Sequence, residues 1–150
     1  MIELKKITDI DTLLQWREEV IENVFGETPS ESLMNMNEAY YRSHIQDGTH
    51  HAFLALNDGL EAGCGGICLT DELPSPDNPS GKCGYLMNIY VRSVFREHGI
   101  GHEIVKRLIE EAEKIGCGKI YLETTQIGRS LYESLGFRDL PDMMKLKKII

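Results

Sequence analysis

The chain has 150 residues, of which 41% are hydrophobic and 27% are charged, which is an ordinary globular composition. A chain of this length buries roughly 70% of its unfolded surface, so we expect a single domain over residues 1–150. The formal charge of −8 argues against nucleic acid as a partner. Because the sequence has no apolar run long enough for a membrane span and no signal-peptide core, we also expect a cytoplasmic protein without a membrane partner.

The N-terminal third predicts one strand followed by two helices. Residues 2–7 alternate between apolar and polar side chains, as a half-buried strand does. Apolar positions then recur at helical spacing over residues 11–24, which predicts a first helix capped by Asp9 or Asp11. A shorter second helix is expected over about residues 37–46.

The middle of the chain predicts three strands. Residues 51–56 alternate, an Asn-Asp-Gly turn follows, and residues 61–69 form a glycine-rich partner strand. Glycines in a strand often mark the close approach of another group. Residues 70–82 carry three prolines and predict a loop, after which the apolar and aromatic residues 85–91 predict a buried strand.

The C-terminal third alternates between helices and strands. An amphipathic helix is expected up to about Ile115, and a strand over residues 119–125. A short helix over residues 128–135 stops at a glycine. Residues 137–147 then predict a last pair of short strands, broken by a proline.

The turn between the buried strand and the amphipathic helix has the chemistry of an anion site. Gly99 and Gly101 allow a tight turn, and the first N–H groups of the helix have no partner within the helix. These donors and the positive end of the helix dipole favour phosphate. A glycine pair can also serve only to permit a bend. The spacing matches neither the dinucleotide fingerprint nor the lysine-bearing P-loop.

Two sequence blocks carry a family resemblance. Arg96, Gly99 and Gly101 form an Arg-x-x-Gly-x-Gly block that resembles the acetyl-CoA pyrophosphate loop of the GCN5-related N-acetyltransferase (GNAT) superfamily. Residues 131–137 form a Leu-Tyr-x-x-x-Gly-Phe block similar to the C-terminal signature of that family. The resemblance implies an α/β (α+β) fold in which a mixed central sheet of about six to seven strands is flanked by about four helices.

The same resemblance implies an enzyme that uses acetyl-CoA and no metal. It would transfer acetyl to a primary amine of a small molecule or peptide, directly in a ternary complex, and the resemblance is compatible with a homodimer. Two other interpretations stay open. One is a non-catalytic acyl-CoA-binding sensor or regulatory module, and the other is an unrelated nucleotide-binding fold.

The resemblance also implies where the cofactor is bound. The main chain at the end of the buried strand would bind the pantetheine arm, and the glycine turn would bind the pyrophosphate. The expected cofactor residues are Ile89, Tyr90, Val91, Arg96, Glu97, His98, Gly99, Ile100, Gly101, His102, Thr125, Ser130 and Tyr132. For several of these a plainer interpretation also stands, namely a core strand at residues 89–91 and solvated side chains at the turn and the last helix.

Tyr132 is the expected general acid, because its position matches a tyrosine that lies beside the cofactor sulfur in many family members. A phenol with an ordinary pKa of about 10 is protonated at neutral pH and can donate to a departing thiolate. A structural tyrosine packed on the sheet is the alternative. Glu61 and Glu72 are the expected general bases, and other carboxylates stay open: Glu19, Glu22, Asp71 and Glu123.

Three further expectations concern the rest of the chain. The four cysteines lack the paired spacing of a zinc site and are expected to be buried free thiols. The substrate cleft is expected between the first two helices and the loop at residues 70–82. Ser93 stands where the family commonly has proline, and the link at residues 124–129 lacks an asparagine that many members carry.

Overall fold

The computed structural model describes residues 1–148, which form one mixed sheet with helices on both faces. The strands are β1 Ile2–Ile7, β2 His50–Asn57, β3 Leu60–Asp71, β4 Lys82–Val91 and β5 Lys119–Leu122. They lie side by side in chain order. The first three pairings are antiparallel and the β4–β5 pairing is parallel.

The first two of the four α-helices within residues 1–148 begin at side-chain caps. The four are α1 Ile10–Val20, α2 Glu31–Gln46, α3 Ile100–Ile115 and α4 Arg129–Ser134; a π-helical turn, Ile21–Phe25, extends α1 and a short 3-10 turn, Ser93–Phe95, follows β4. Asp9 caps α1 by accepting a hydrogen bond from the Thr12 N–H at 2.9 Å. Ser30 caps α2 in the same way. Therefore α2 begins earlier than residue 37, and its mostly exposed first turns lack the periodicity that would have indicated this.

Each face of the sheet carries its own hydrophobic core. The amphipathic helix α3 covers one face, where its fully buried side chains pack on β3 and β4: Ile104, Val105, Leu108 and Ala112. On the other face, α1 and α2 contribute Trp16, Val20 and Tyr41, which pack with Tyr90 of β4. Each such large side chain stabilises the fold by about 1.5–3 kcal/mol. The two cores together fix the position of β4 in the middle layer.

The glycines of β3 allow the close approach that the sequence predicted. A Cβ at Gly65 would lie 2.5 Å from the Ile104 side chain of α3, and a Cβ at Gly63 would lie 2.4 Å from the Tyr90 carbonyl of β4. Real carbon atoms do not approach so closely. The glycines therefore let α3 and β4 pack directly on the β3 backbone.

The predicted mixed α/β fold with about four helices is confirmed, but the sheet has five strands within residues 1–148, slightly fewer than the six to seven expected. No strand forms over residues 137–147, and β5 ends at Leu122 instead of continuing to residue 125. The physical reason is local: a turn closed by the Met143 N–H and the Leu140 carbonyl redirects the chain, and Pro141 within it has no N–H to donate. The side chains of Met144 and Leu146 are exposed.

Hydrogen bonds hold the loop between β3 and β4 against the beginning of β4. The Glu72 N–H donates to the Gly81 carbonyl at 2.7 Å. Asn78, which is only 7% exposed, donates from Nδ2 to the Lys82 carbonyl and packs against Gly118. This places the loop at the opposite end of β4 from the glycine turn, which does not favour its expected role as a wall of the substrate cleft.

The four cysteines are free thiols, of which Cys64 and Cys83 are buried and Cys68 and Cys117 are half-buried. Among residues 1–148, no three His, Cys, Asp or Glu side chains are grouped so that they could hold a metal ion. No helix in that range is both long and apolar enough to cross a membrane.

Candidate active site

β4 and β5 separate into a fork. They pair only where Cys83–Leu86 runs beside Lys119–Leu122. Beyond this point, residues 87–91 pair with β3 alone among the described strands. The main chain of these β4 residues therefore has one open edge, as expected for a strand that binds an extended ligand through its backbone.

A bulge lies in β4 at the fork. Gly66 pairs with Met87 and Cys64 pairs with Tyr90, so residues 88 and 89 of β4 both lie opposite Gly65. Asn88 has a left-handed backbone with a φ of 59°. Its side chain accepts a hydrogen bond from the Arg17 guanidinium at 2.8 Å. The only local signal for this bulge is a lone asparagine inside an apolar strand.

The bulge fixes the direction of one backbone amide. The Cys64 thiol of β3 donates to the Asn88 carbonyl at 3.4 Å, so that carbonyl points towards β3. No peptide bond among residues 1–148 is cis, and a trans peptide holds its C=O and N–H on opposite sides. The N–H of Ile89 consequently points away from the Cys64 thiol.

The turn after β4 ends in a helix start without a side-chain cap. Glu97 and Gly99 have left-handed φ values of 65° and 80°, and α3 begins at Ile100. Within residues 1–148, no side chain caps its first N–H groups. The Arg96 side chain donates to the Val91 carbonyl at 3.1 Å, so its charge is held against the turn.

A cavity of about 250 Å³ lies at this helix start. It brings together Val91, which was predicted to bind the pantetheine arm, and most of the predicted residues of the turn: Arg96, Glu97, Gly99, Ile100, Gly101 and His102. Phe95 and Leu131 also line it and were not predicted. His98 is not part of the lining; its ring nitrogen lies 3.1 Å from the Phe95 carbonyl. The side chain of Tyr90 packs in the core under α1 instead.

Tyr132 lies on α4 and borders a second cavity of about 590 Å³, between β5, α4 and residues 136–140. Its ring contacts Phe137 edge-on, with centroids 5.9 Å apart. Burial raises the pKa of the Tyr132 hydroxyl. Since Leu131 lines the smaller cavity, α4 borders both. Thr125 and Ser130 are exposed and line neither of the two.

The predicted bases lie apart from each other. The Glu72 carboxylate is 3.4 Å from the Lys119 ammonium, and a hydrogen bond from Cys83 together with Lys119 lowers the Glu72 pKa. Glu61 is exposed on β3, where its main-chain carbonyl accepts from Arg92. A hydrogen bond from Arg92 likewise lowers the pKa of Glu19. Glu72 and Glu19 therefore lack the raised pKa of a base tuned to neutral pH.

An aromatic pair lies on the sheet face opposite α3. Tyr85 of β4 and Tyr121 of β5 are paired in register, and their ring centroids are 5.0 Å apart. Burial, and after it the Glu123 carboxylate, raises the pKa of Tyr85 to about 12. The tyrosines were missed as site residues, although the alternation of both strands could have indicated that they share a face.

Comparison with known sequences gives a consistent picture. The family model described as "Acetyltransferase (GNAT) family" matches residues 11–137. A thialysine N-epsilon-acetyltransferase from Sus scrofa is 33% identical over 97 residues, which cover 50% of this chain and 57% of that protein. A probable glucosamine 6-phosphate N-acetyltransferase 2 from Oryza sativa subsp. japonica is 37% identical over 57 residues, 38% of this chain and 34% of that protein. The chain thus spans about half the length, or less, of these curated relatives.

Solved structures share the fold. A predicted acetyltransferase from Clostridium acetobutylicum, crystallised with acetyl-CoA, superposes with a TM-score of 0.86 and 24% identity, covering 98% of this chain and 96% of that one. A GCN5-related N-acetyltransferase from Ralstonia eutropha JMP134 gives a TM-score of 0.77 and 23% identity, covering 98% and 99%. Because the family model spans most of the residues and includes both the fork and the glycine turn, the chain belongs to the acetyltransferase (GNAT) family.

Proposed function

We propose that the chain is an acetyl-CoA-dependent N-acetyltransferase that moves an acetyl group to a primary amine of a small molecule or peptide. One observation carries the proposal. The open edge of β4 leads directly into a helix start that no side chain caps, and a cavity lies at that start. This order of backbone groups suits a ligand that has an extended amide-bearing arm followed by a pyrophosphate.

The turn residues fit the pyrophosphate. Gly99 has a left-handed backbone that allows the tight turn into α3, and residues of the turn and of the first turn of α3 line the cavity. A side chain at Gly101 would come within 3.4 Å of Leu131 and would narrow the cavity. Arg96 adds positive charge beside these donors. The chain's own backbone therefore supplies most of the binding, as is usual at helix N-termini.

The fork supplies the groups that act on the thioester. Acetyl-CoA brings an activated acyl group, and we propose that its carbonyl lies beside the Ile89 N–H, which points away from Cys64 at the bulge. An N–H fixed in this way stabilises negative charge that develops on an acyl oxygen. The main chain of Tyr90 and Val91 would bind the pantetheine arm. Direct transfer to the amine follows, without an acyl-enzyme.

Tyr132 would protonate the departing thiolate. Burial raises the Tyr132 pKa, so the phenol keeps its proton at neutral pH. An ordinary thiol has a pKa of about 8.5, below that of the phenol, so complete proton transfer to the thiolate is uphill; Tyr132 would act by donating its O–H to the sulfur as the negative charge develops. His98, His102, Thr125 and Ser130 remain proposed cofactor contacts at the edges of the site.

The amine would approach from the face that carries Tyr85 and Tyr121. This face is opposite α3, and the Glu123 carboxylate beside it suits a cationic or hydrogen-bonding acceptor. Glu61 and Glu72 remain proposals for the general base, although Glu72 is held by Lys119. The curated relatives are named for thialysine and glucosamine 6-phosphate, which favours a small-molecule amine.

A free-thiol assay tests the proposal. The protein is incubated with acetyl-CoA and a panel of polyamines, amino acids, aminoglycosides, amino sugars and N-terminal peptides, and released CoA is titrated. We expect release that depends on one class of amine. Tight binding of acetyl-CoA with no amine-dependent release would instead indicate a sensor, and equal stabilisation by nucleotides without pantetheine would indicate an unrelated nucleotide-binding protein.

A further inference from the structure

A chain of hydrogen bonds connects the helices on one face of the sheet to the bulge in β4. Arg17 of α1 donates from Nε to the Asn37 side chain of α2 at 3.0 Å and from Nη1 to Asn88 Oδ1 at 2.8 Å. Asn37 is itself fixed, because its Nδ2 donates to the Leu33 carbonyl at 2.9 Å. Arg17 thus links three separate elements through a single half-buried guanidinium.

Within the described residues, the Arg17 guanidinium bonds neutral side chains and not acidic ones. Among residues 1–148 no carboxylate forms an ion pair with Arg17. Both of its hydrogen bonds to side chains go to neutral amide oxygens. Hydrogen bonds from a charged donor are stronger and more directional than neutral ones. The guanidinium is therefore placed to orient Asn88 rather than to neutralise an acid.

The backbone at Asn88 needs such support. A left-handed φ of 59° inside a strand is uncommon for any residue with a side chain, although asparagine tolerates it better than most. The main-chain carbonyl of Asn88 accepts from the Cys64 thiol of β3. Its side-chain oxygen accepts from Arg17. Two separate hydrogen bonds therefore hold Asn88, one at its main chain and one at its side chain.

We infer that Arg17 is a positioning residue for acetyl transfer: it holds the Asn88 bulge so that the Ile89 N–H is aimed at the acyl oxygen. This inference rests on the proposed function. Arg17 itself need touch neither acetyl-CoA nor the amine. Because α1 and α2 also cover the face from which the amine would approach, the same hydrogen bonds connect the acceptor side to the donor side.

Kinetics of two single variants and their combination test the inference. Arg17→Gln removes the donor, whereas Asn88→Gly removes the acceptor oxygen but leaves the left-handed backbone accessible. We expect Arg17→Gln to lower kcat by about 10-fold to 100-fold, with the KM for acetyl-CoA changed less than about threefold, because a misaimed donor weakens transition-state binding. In the Asn88→Gly background, Arg17→Gln should lower kcat by less than about twofold, since the Arg17–Asn88 hydrogen bond is already absent.

Two control variants distinguish loss of the Arg17–Asn88 bond from a general effect of removing a helix arginine or altering the bulge. Arg42→Gln removes an arginine of α2 whose ion-pair partner among residues 1–148 is the surface residue Glu38, and it should leave kcat unchanged. Asn88→Asp keeps an oxygen for Arg17 and tolerates the left-handed backbone, so its kcat should stay closer to wild type than that of Asn88→Gly. The comparison of Asn88→Asp with Asn88→Gly holds even if Arg17→Gln fails to fold.

Three outcomes would overturn the inference. They are an unchanged kcat in Arg17→Gln, an equal loss of kcat from Arg17→Gln in the Asn88→Gly background, and equal kcat values for Asn88→Asp and Asn88→Gly. Hydrogen exchange of residues 86–91 gives a readout without turnover, and Arg17→Gln should speed it. If the wild-type protein acetylates no amine, the proposed function fails, while faster exchange would still support the bulge-holding role and unchanged exchange would refute it.

Discussion

Tyr132 is the side chain whose removal tests the proposed chemistry most simply. It is half-buried and its pKa is raised, so it is a proton donor at neutral pH. We expect Tyr132→Phe to lower kcat by about 10²-fold to 10⁴-fold, the range of a lost general acid. The affinity for acetyl-CoA, measured by titration calorimetry, should change little because the ring stays packed on Phe137. A kcat equal to that of wild type would remove Tyr132 from the mechanism.

His50 predicts a pH dependence of stability. Burial lowers the pKa of His50 to about 4 from an ordinary 6.5, while Tyr40 holds its Nδ1 at 2.8 Å. The unfolded chain therefore binds a proton more readily than the folded chain. The contribution of neutral His50 to the free energy of unfolding is fully present above about pH 6.5 and decreases as the pH drops towards 4. About 2 kcal/mol of it is lost at pH 5.

Urea unfolding at pH 7.5 and pH 5 measures this contribution. The free energy of unfolding of the wild-type protein should decrease more between the two values than that of His50→Gln, which has no titrating group at this position. Identical decreases in both proteins would show that His50 does not titrate as its burial predicts.

The residues of the candidate site differ in whether they could be predicted from the sequence. Arg96, Gly99 and Gly101 were found because the turn has a fixed spacing, and most of the turn lines a cavity. Arg17 and Asn88 were not found as a pair, since they meet only after α1 packs on β4. Long-range side-chain contacts of this kind leave no local pattern in a sequence.

The start of α3 is the element that would bind the pyrophosphate, and Gly99 is its most sensitive position. Its φ is 80° and an added Cβ would meet nothing within 4 Å, so Gly99→Ala acts only through the backbone. We expect a stability loss of about 1 kcal/mol. The Kd for acetyl-CoA should rise about 10-fold, as loss of one charge-assisted hydrogen bond would produce.

Gly116 gives a matched control at the other end of the same helix. Its φ is 94° and it also has open space around it. Gly116→Ala should cost similar stability in thermal unfolding and leave the Kd unchanged. Equal effects of both substitutions on the Kd would show that the turn at Gly99 has no special part in binding.

The loop between β3 and β4 is expected to be structural. Asn78→Ala removes a buried side chain that bonds the Lys82 carbonyl, so the free energy of unfolding should fall by about 1–3 kcal/mol. Because the loop lies at the beginning of β4, kcat and the KM for the amine should stay within about twofold of wild type. A large rise in the KM for the amine would restore the loop as a wall of the cleft.

Elements were predictable where a pattern was regular. The alternation of β1 and β2 and the apolar stripe of α3 predicted them closely. The first turns of α2 were missed because their side chains are mostly exposed, and only Ser30 signalled the start. The strands expected over residues 137–147 were wrong, because a turn from Leu140 to Met143 redirects the chain there.

At the scale of the whole molecule, the two cores hold β4 between the side proposed to bind acetyl-CoA and the side proposed to receive the amine. α3 and the glycine turn lie on one side, and α1 and α2 lie on the other. The fork is the place where groups from both sides can meet. A homodimer stays a prediction, which sedimentation velocity can check.

The cysteines argue for direct transfer over an acyl-enzyme. Burial raises the pKa of all four thiols, to about 12 for Cys64 and about 11 for Cys83. A thiol attacks a thioester only as its thiolate, which such values make scarce at neutral pH. The acetyl group should therefore pass from donor to amine without resting on the protein.

Mass spectrometry of protein and amine in one reaction tests this most directly. The protein is first incubated with acetyl-CoA alone, and an amine identified by the thiol assay is then added. We expect an unmodified protein at every stage and, after the addition, an amine that carries one acetyl group in the same amount as the CoA released. An acetylated protein that is consumed when the amine is added, or CoA release without an acetylated amine, would contradict direct N-acetyl transfer.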